Sequence, residues 1–261
     1  MPVTLEPTLK FELREFTAWT AVSPISIPAS NEVHAWYAIR HGTTCDAAAV
    51  ESYLSEEEQA RAARLRFEQH RKHFVLSHAM LRLLIGAYCG IDPREVIFNY
   101  GPHGKPSIDR RLGLTFNLSH ADDSIFCAFA NRRQIGVDIE RVRGDFNTDE
   151  IGERFFSLAE RETLRRVPPT AKHAAFFRLW TRKEAYIKAR GEGLSHPLHQ
   201  FDIALGDVGN VLVTTRPDAE EASRWVVWNV EVPHGYVAAV SFEAGAVDGQ
   251  LGGAVCQNSL S

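Results

Sequence analysis

Apolar positions along the chain recur with two periods, near two and near 3.6, in an order that runs through twice. Val33-His34-Ala35-Trp36-Tyr37-Ala38-Ile39 predicts a first strand. Ser55-Glu56-Glu57-Glu58 places Ser at an N-cap and Glu three residues on, a capping box that opens a helix. A longer helix is expected over about 69–88, where Phe74, Val75, Leu81, Leu84, Ile85 and Tyr88 cover a broad face and Gly90 stops it. Strand-like runs follow at 96–98, 114–116, 124–129 and 135–139, with polar Asn131 to Gln134 fitting a hairpin turn. The second half repeats this order, with helical segments over about 149–165 and 171–190 and strand-like runs near 199–205, 210–215, 224–232 and 235–242. A short echo supports duplication: Ser119-His120 before Ile125 to Phe129 resembles Pro233-His234 before Val237 to Phe242. The expected organisation is therefore an irregular lead-in at 1–31, which is rich in Pro and Thr, then one half at 32–132 and a second at 133–243. The Gly-, Ala- and Ser-rich stretch 244–261 is expected to be a mobile tail.

A length of 261 residues suits about two domains, and 44 % apolar with 24 % charged residues is ordinary globular composition. With 29 basic residues against 33 acidic ones the net charge is −4, so a general nucleic-acid binder is disfavoured and any anion site must be local. The four cysteines, Cys45, Cys89, Cys127 and Cys256, form no Cys-x-x-Cys pair and read as reduced thiols of a cytoplasmic protein. No signal-peptide pattern and no run of 18 apolar residues is present, so no membrane role is expected.

Four groups of residues could carry chemistry. In Asp138-Ile139-Glu140 the two acids share one strand face, and paired carboxylates repel unless a proton or a hard cation such as Mg²⁺ lies between them. In isolation the same pattern also fits a solvent-facing strand edge. Within Trp180-Thr181-Arg182-Lys183-Glu184-Ala185-Tyr186-Ile187-Lys188, Glu184 and Lys188 lie i, i+4 on one helical face, as an ion pair or as a carboxylate beside a phosphate-binding ammonium. Gly104-Lys105-Pro106 presents one exposed ammonium, and Asn117-Leu118-Ser119-His120 offers two donors to an anion. The stretch Arg61, Arg64, Arg66, Arg71, Lys72, opposed only by Glu68, suggests a phosphate partner or a solvated helix face. His70, His73 and His78 lack the companions of a zinc site, and no Gly-x-Ser-x-Gly supports a serine hydrolase.

Taken in order, Gly104-Lys105-Pro106, Phe116 to His120, Gly136-Val137-Asp138-Ile139-Glu140, Arg154-Phe155-Phe156-Ser157, Trp180 to Lys188 and Gly191 to Leu194 resemble the 4′-phosphopantetheinyl transferases, specifically the broad-specificity, pseudodimeric class that activates surfactin-type peptide synthetases. The resemblance spans residues 61–205 and is similar to cyanobacterial-type members. It implies an α+β fold of two similar α/β halves about a pseudo-twofold axis, acting as a monomer, with coenzyme A and Mg²⁺ in the cleft. The implied reaction moves the 4′-phosphopantetheine arm of coenzyme A to a serine of an apo acyl or peptidyl carrier protein and releases adenosine 3′,5′-bisphosphate. A non-catalytic carrier-binding or nucleotide-binding module of the same fold is the alternative. By motif position, Asp138, Glu140 and Glu184 would hold Mg²⁺, and the serine's base would be Glu184, directly or through a metal-bound water. Lys105, Ser119, His120 and Lys188 would contact the coenzyme's phosphates, and Arg61, Arg66 and Lys72 fall in the stretch that would meet its 3′-phosphate. After His120 the chain has Ala121-Asp122, where the family more often has Ser or Gln followed by Gly. The carrier is expected to dock where Arg161, Arg165, Arg166 and Lys172 flank Pro168-Pro169.

Overall fold

The computed structural model describes residues 9–17, 19–39, 47–145, 147–193, 196–206, 211–233 and 235–244. Cys45, Cys256, His234, Leu194 and the stretch 245–261 named above lie outside the described residues. The elements in order are strands β1 (Lys10–Glu15) and β2 (Glu32–Ile39), helices α1 (Ala47–Glu51), α2 (Glu56–Ala63) and α3 (Glu68–Cys89), and strands β3 (Asn99–Tyr100), β4 (Pro106–Ser107), β5 (Leu114–Ala121), β6 (Ser124–Asn131) and β7 (Ile135–Arg141). They continue with α4 (Thr148–Phe155), α5 (Leu158–Arg165), α6 (Pro169–Arg190), β8 (Phe201–Ile203), β9 (Leu212–Thr215), β10 (Trp225–Val230) and β11 (Tyr236–Glu243).

Two sheets form the centre, ordered β1-β2-β6-β5 and β10-β11-β7. The antiparallel triplet β2-β6-β5 recurs as β7-β11-β10, so β6 and β11, the two members of the sequence echo, both occupy the middle of their triplets. The inner faces of the sheets meet: Val33, Ala35, Phe126 and Ala128 share a buried cluster with Val137, Ile139, Trp228 and Val240. The outer faces carry the long helices, α3 over Trp36, Phe116, Cys127 and Phe129, and α6 over Trp225, Val227 and Phe201. The layers therefore run helix, sheet, sheet, helix.

The halves also repeat one buried device. Ser55 caps α2 with Glu58 in a capping box, and Glu58 accepts from Nε of buried Arg82 on α3 at 2.7 Å. Ser157 caps α5 with Glu160 in the same way, and Glu160 pairs with buried Lys183 on α6 at 2.7 Å. Ser157 is also why the helix expected over 149–165 is two helices: the cap restarts the chain after Phe156.

Three local expectations are corrected. Within 1–31, Lys10–Glu15 is not irregular but an edge strand that pairs in parallel with β2, burying Phe11. Asn131 to Gln134 is no hairpin turn, since β6 and β7 belong to different sheets and this segment crosses between them. The paired residues near 96–98 are Asn99 and Tyr100, with Ile97 left exposed. Among the described residues no helix is long and apolar enough to cross a membrane.

Candidate active site

The strand alternation of β7 creates the site. Ile135, Val137 and Ile139 point into the layer between the sheets, which turns Gly136, Asp138 and Glu140 towards α6. Gly136 has no side chain to hold the helix away: a Cβ there would overlap the Ala185 carbonyl and the Ala189 amide of α6. This close approach sets Glu184 and Lys188, the next residues on that face of the helix, beside Asp138.

Asp138 is 4 % exposed, and its Oδ1 accepts from Lys188 Nζ at 2.6 Å and from Ser119 Oγ at 2.8 Å. Lys188 Nζ also donates to Ser119 Oγ at 3.2 Å. Ser119 comes from β5 of the first half, so the triad spans both halves. One residue pair away, the Asn117 side-chain carbonyl accepts the Val137 amide at 2.8 Å and straps β5 to β7 where no ladder bond joins them. Asn117 was legible only as part of a motif, without a role of its own. Its signal is a polar residue at a strand position that is buried.

Burial dominates the electrostatics. It raises the Asp138 carboxyl despite Lys188 and Ser119. It pushes Glu140 up to about 7, with the Asp138 charge adding to the effect, and Glu184 up to about 7 against the pull of Lys188. The second oxygen of Asp138, Oδ2, is buried with no hydrogen-bond partner. Among the described residues no three His, Cys, Asp or Glu side chains already converge as a finished metal shell. The donor set still fits a hard cation: an orphaned carboxylate oxygen and two neighbouring acids are held in a setting where they resist ionising without positive charge.

The other expected residues divide. His120, exposed at the end of β5, sits against His73 of α3, their rings 4.4 Å apart. Asp122 adopts a left-handed backbone (φ 47°), a conformation that Asp tolerates. Its carboxylate meets Arg141 at 3.4 Å and Arg143 at 3.6 Å. Arg61 lies over the Phe74 ring at 5.4 Å and Arg66 over Phe67 at 5.5 Å, both guanidinium-bearing residues being exposed. The stretch is less unopposed than its sequence implies, because Arg71 is held by Glu51 of α1 at 3.0 Å and Lys72 stands 3.9 Å from Glu68. Around Pro168-Pro169, Arg165 is 3.8 Å from Glu153 and Lys172 is 2.6 Å from Asp149.

The ammonium expected to be exposed at Lys105 is instead half-buried and donates to the carbonyls of Ile135, Lys188 and Ala189, at 2.9, 2.6 and 3.1 Å. An ammonium has three hydrogens, and all are used. Burial lowers its pKa to about 8. It walls a cavity of about 600 Å³ between the halves that Arg110, Thr115, Arg132 and Gly191 also line and that the carboxylates do not reach.

Residues 38–132 match the profile of the 4′-phosphopantetheinyl transferase N-terminal family, and residues 134–241 that of the 4′-phosphopantetheinyl transferase superfamily. The chain is 37 % identical over 202 residues to the 4′-phosphopantetheinyl transferase HetI of Nostoc sp., covering 76 % of this chain and 85 % of that one. It is 31 % identical over 189 residues to the transferase Sfp of Bacillus subtilis, covering 72 % and 82 %. Identity to the transferase psf-1 of Bacillus pumilus is 31 % over 210 residues, covering 80 % and 87 %. Both halves that build the Ser119–Asp138–Lys188 triad thus fall within matched segments, and the chain belongs to the 4′-phosphopantetheinyl transferase superfamily.

Proposed function

We propose that this chain transfers the 4′-phosphopantetheine arm of coenzyme A to a serine hydroxyl of apo acyl or peptidyl carrier proteins, in a reaction that requires Mg²⁺ and releases adenosine 3′,5′-bisphosphate. The observation that carries the reading is the meeting of Ser119 from one half with Asp138 and Lys188 from the other. Asp138, Glu140 and Glu184 are the residues that would hold Mg²⁺. Bound there, the ion supplies positive charge to the diphosphate. His120, exposed at the end of β5, would donate to phosphate oxygens, Ser119 would do so by turning its hydroxyl away from Asp138, and Lys188 adds a cation at the boundary of the halves.

Chemically, the serine oxygen forms a bond to the pantetheine-side phosphorus while the bond to the nucleotide's phosphate oxygen breaks. The serine proton goes to Glu184. Burial holds that carboxyl up at about 7 before any cation binds, so it can accept a proton near neutral pH, and such transfer contributes about 10²–10⁴-fold. Burial around Asp138 keeps water from competing and strengthens each charge contact.

The test is to incubate the chain with coenzyme A, Mg²⁺ and a panel of apo acyl and peptidyl carriers and weigh the carriers. The expected result is a gain of one phosphopantetheine arm with matching release of adenosine 3′,5′-bisphosphate. Unmodified carriers across the whole panel overturn the reading.

A further inference from the structure

One ammonium of the first half holds the backbone of the second half at the two elements that carry its functional groups. Lys105 Nζ donates to Lys188 O and Ala189 O at the end of α6 and to Ile135 O at the start of β7. Lys188 itself and Asp138 ride on those elements. We propose that Lys105 is a positioning residue for the transfer, fixing the last turn of α6 against β7 so that Lys188 Nζ stays on Asp138 and Ser119, and that it does not touch the coenzyme. The proposal rests on the transferase reading above.

Several features make Lys105 suited to this. The last carbonyls of a helix carry the negative end of its dipole, and a cation there is stabilising. The side-chain stem runs beneath Gly191, whose left-handed φ of 73° ends α6, with Cδ 3.9 Å from where a Cβ on that glycine would stand. The turn that delivers Lys105 is itself anchored. Gly101 N–H donates to Lys105 O at 3.0 Å, and Tyr100 pairs with Pro106 across β3 and β4. A lysine on a fixed loop that reaches 83 residues along the chain to grip a catalytic residue's own carbonyl sets a distance, which a mobile phosphate ligand does not.

The test compares Lys105→Met and Lys105→Arg with the unaltered chain. For Lys105→Met, kcat is expected to fall about tenfold or more, as small misplacements of reacting groups do. KM for coenzyme A and the preference for coenzyme A over dephospho-coenzyme A stay unchanged. Hydrogen exchange at the Gly191 and Glu192 amides is expected to speed up. Lys105→Arg is expected not to restore kcat, because a planar guanidinium cannot converge on three carbonyls, whereas it would replace a phosphate contact well. A raised KM for coenzyme A with normal kcat, restored by Arg, overturns the proposal in favour of a phosphate ligand. Unchanged kcat and KM with only a lower Tm overturn it in favour of a purely structural tie. An unaltered chain that modifies no carrier overturns the transferase reading instead, and the positioning role falls with it.

Discussion

Ser119 Oγ donates to Asp138 Oδ1 at 2.8 Å, although the two residues are 19 positions apart and lie on strands of different sheets. The bond crosses the boundary between the halves, so Ser119 ties the first half to the carboxylates that β7 and α6 of the second half carry. Asp138→Asn and Glu184→Gln keep shape and remove charge. Each is expected to lower kcat by more than about 10²-fold with an unchanged far-UV spectrum, the loss typical of a group that stabilises developing charge. Near-normal turnover of either variant at saturating Mg²⁺ removes that residue from the proposed metal set.

Gly136 makes a second prediction. Since α6 lies directly on its backbone, Gly136→Ala forces either the helix or the strand to move. The expected outcome is loss of transfer together with a Tm lower by several degrees, because overpacking typically costs about 1–3 kcal/mol. Ser119→Ala, in contrast, should lower activity and leave Tm close to the starting value. Calorimetry beside the carrier assay separates the two, and a stable, active Gly136→Ala protein contradicts the packing described.

How far the sequence revealed this arrangement depends on whether each signal was local. The Asp138/Glu140 face follows from strand alternation, and the α6 segment from its period, so both were legible. The capping box at Ser157 carries the same Ser and Glu spacing as that at Ser55, and β1 alternates Phe11 and Leu13 with Lys10, Glu12 and Arg14. Both signals were present but sat inside segments read as one helix and as irregular chain. The role of Lys105 and the partners of β7 were not legible, because a turn sequence does not say which distant carbonyls lie beneath it. Turn chemistry likewise could not tell a hairpin at Asn131 to Gln134 from a crossing between sheets.

The proposed metal set links Mg²⁺ to pH through Glu140 and Glu184. Both carboxyls titrate at about 7, above their ordinary 4.5, because burial disfavours their charged forms. A group raised on folding stabilises the fold fully below its unfolded pKa and loses that contribution as pH rises through the folded value. Without metal, thermal stability is therefore expected to decline between pH 4.5 and 7. Mg²⁺ should raise Tm at pH 8 and have little effect at pH 5, in a melting series with and without the ion. An equal Mg²⁺ effect at both values argues against these two acids as ligands.

The buried pair Glu160–Lys183 offers a stability test apart from the chemistry. Both side chains are almost fully buried at 2.7 Å, and Glu160 also accepts the Ile203 amide at 2.8 Å. Lys183→Met alone strands a buried carboxylate and is expected to cost about 3–5 kcal/mol in urea unfolding. Adding Glu160→Gln should recover most of that loss, since the remaining groups are neutral. Additive losses in the double variant show that the two residues are not coupled as described.

The basic stretch of the first half can be resolved residue by residue. Arg71 is engaged by Glu51, and Arg61, Arg66 and Lys72 are the residues proposed to meet the 3′-phosphate. Among these, Arg61 lies over the ring of Phe74, the residue after His73, whose own ring meets His120 at 4.4 Å. Arg61→Ala is therefore expected to shrink the preference for coenzyme A over dephospho-coenzyme A by roughly tenfold or more, since a hydrogen bond to a charged group is worth about 1.5–3 kcal/mol. Arg71→Ala should leave that preference intact while lowering Tm slightly through the lost Glu51 contact. The ratio of kcat/KM for the two coenzymes decides it. If Arg66→Ala or Lys72→Ala erases the preference and Arg61→Ala does not, the 3′-phosphate lies further along α3, towards its exposed N-terminal turns.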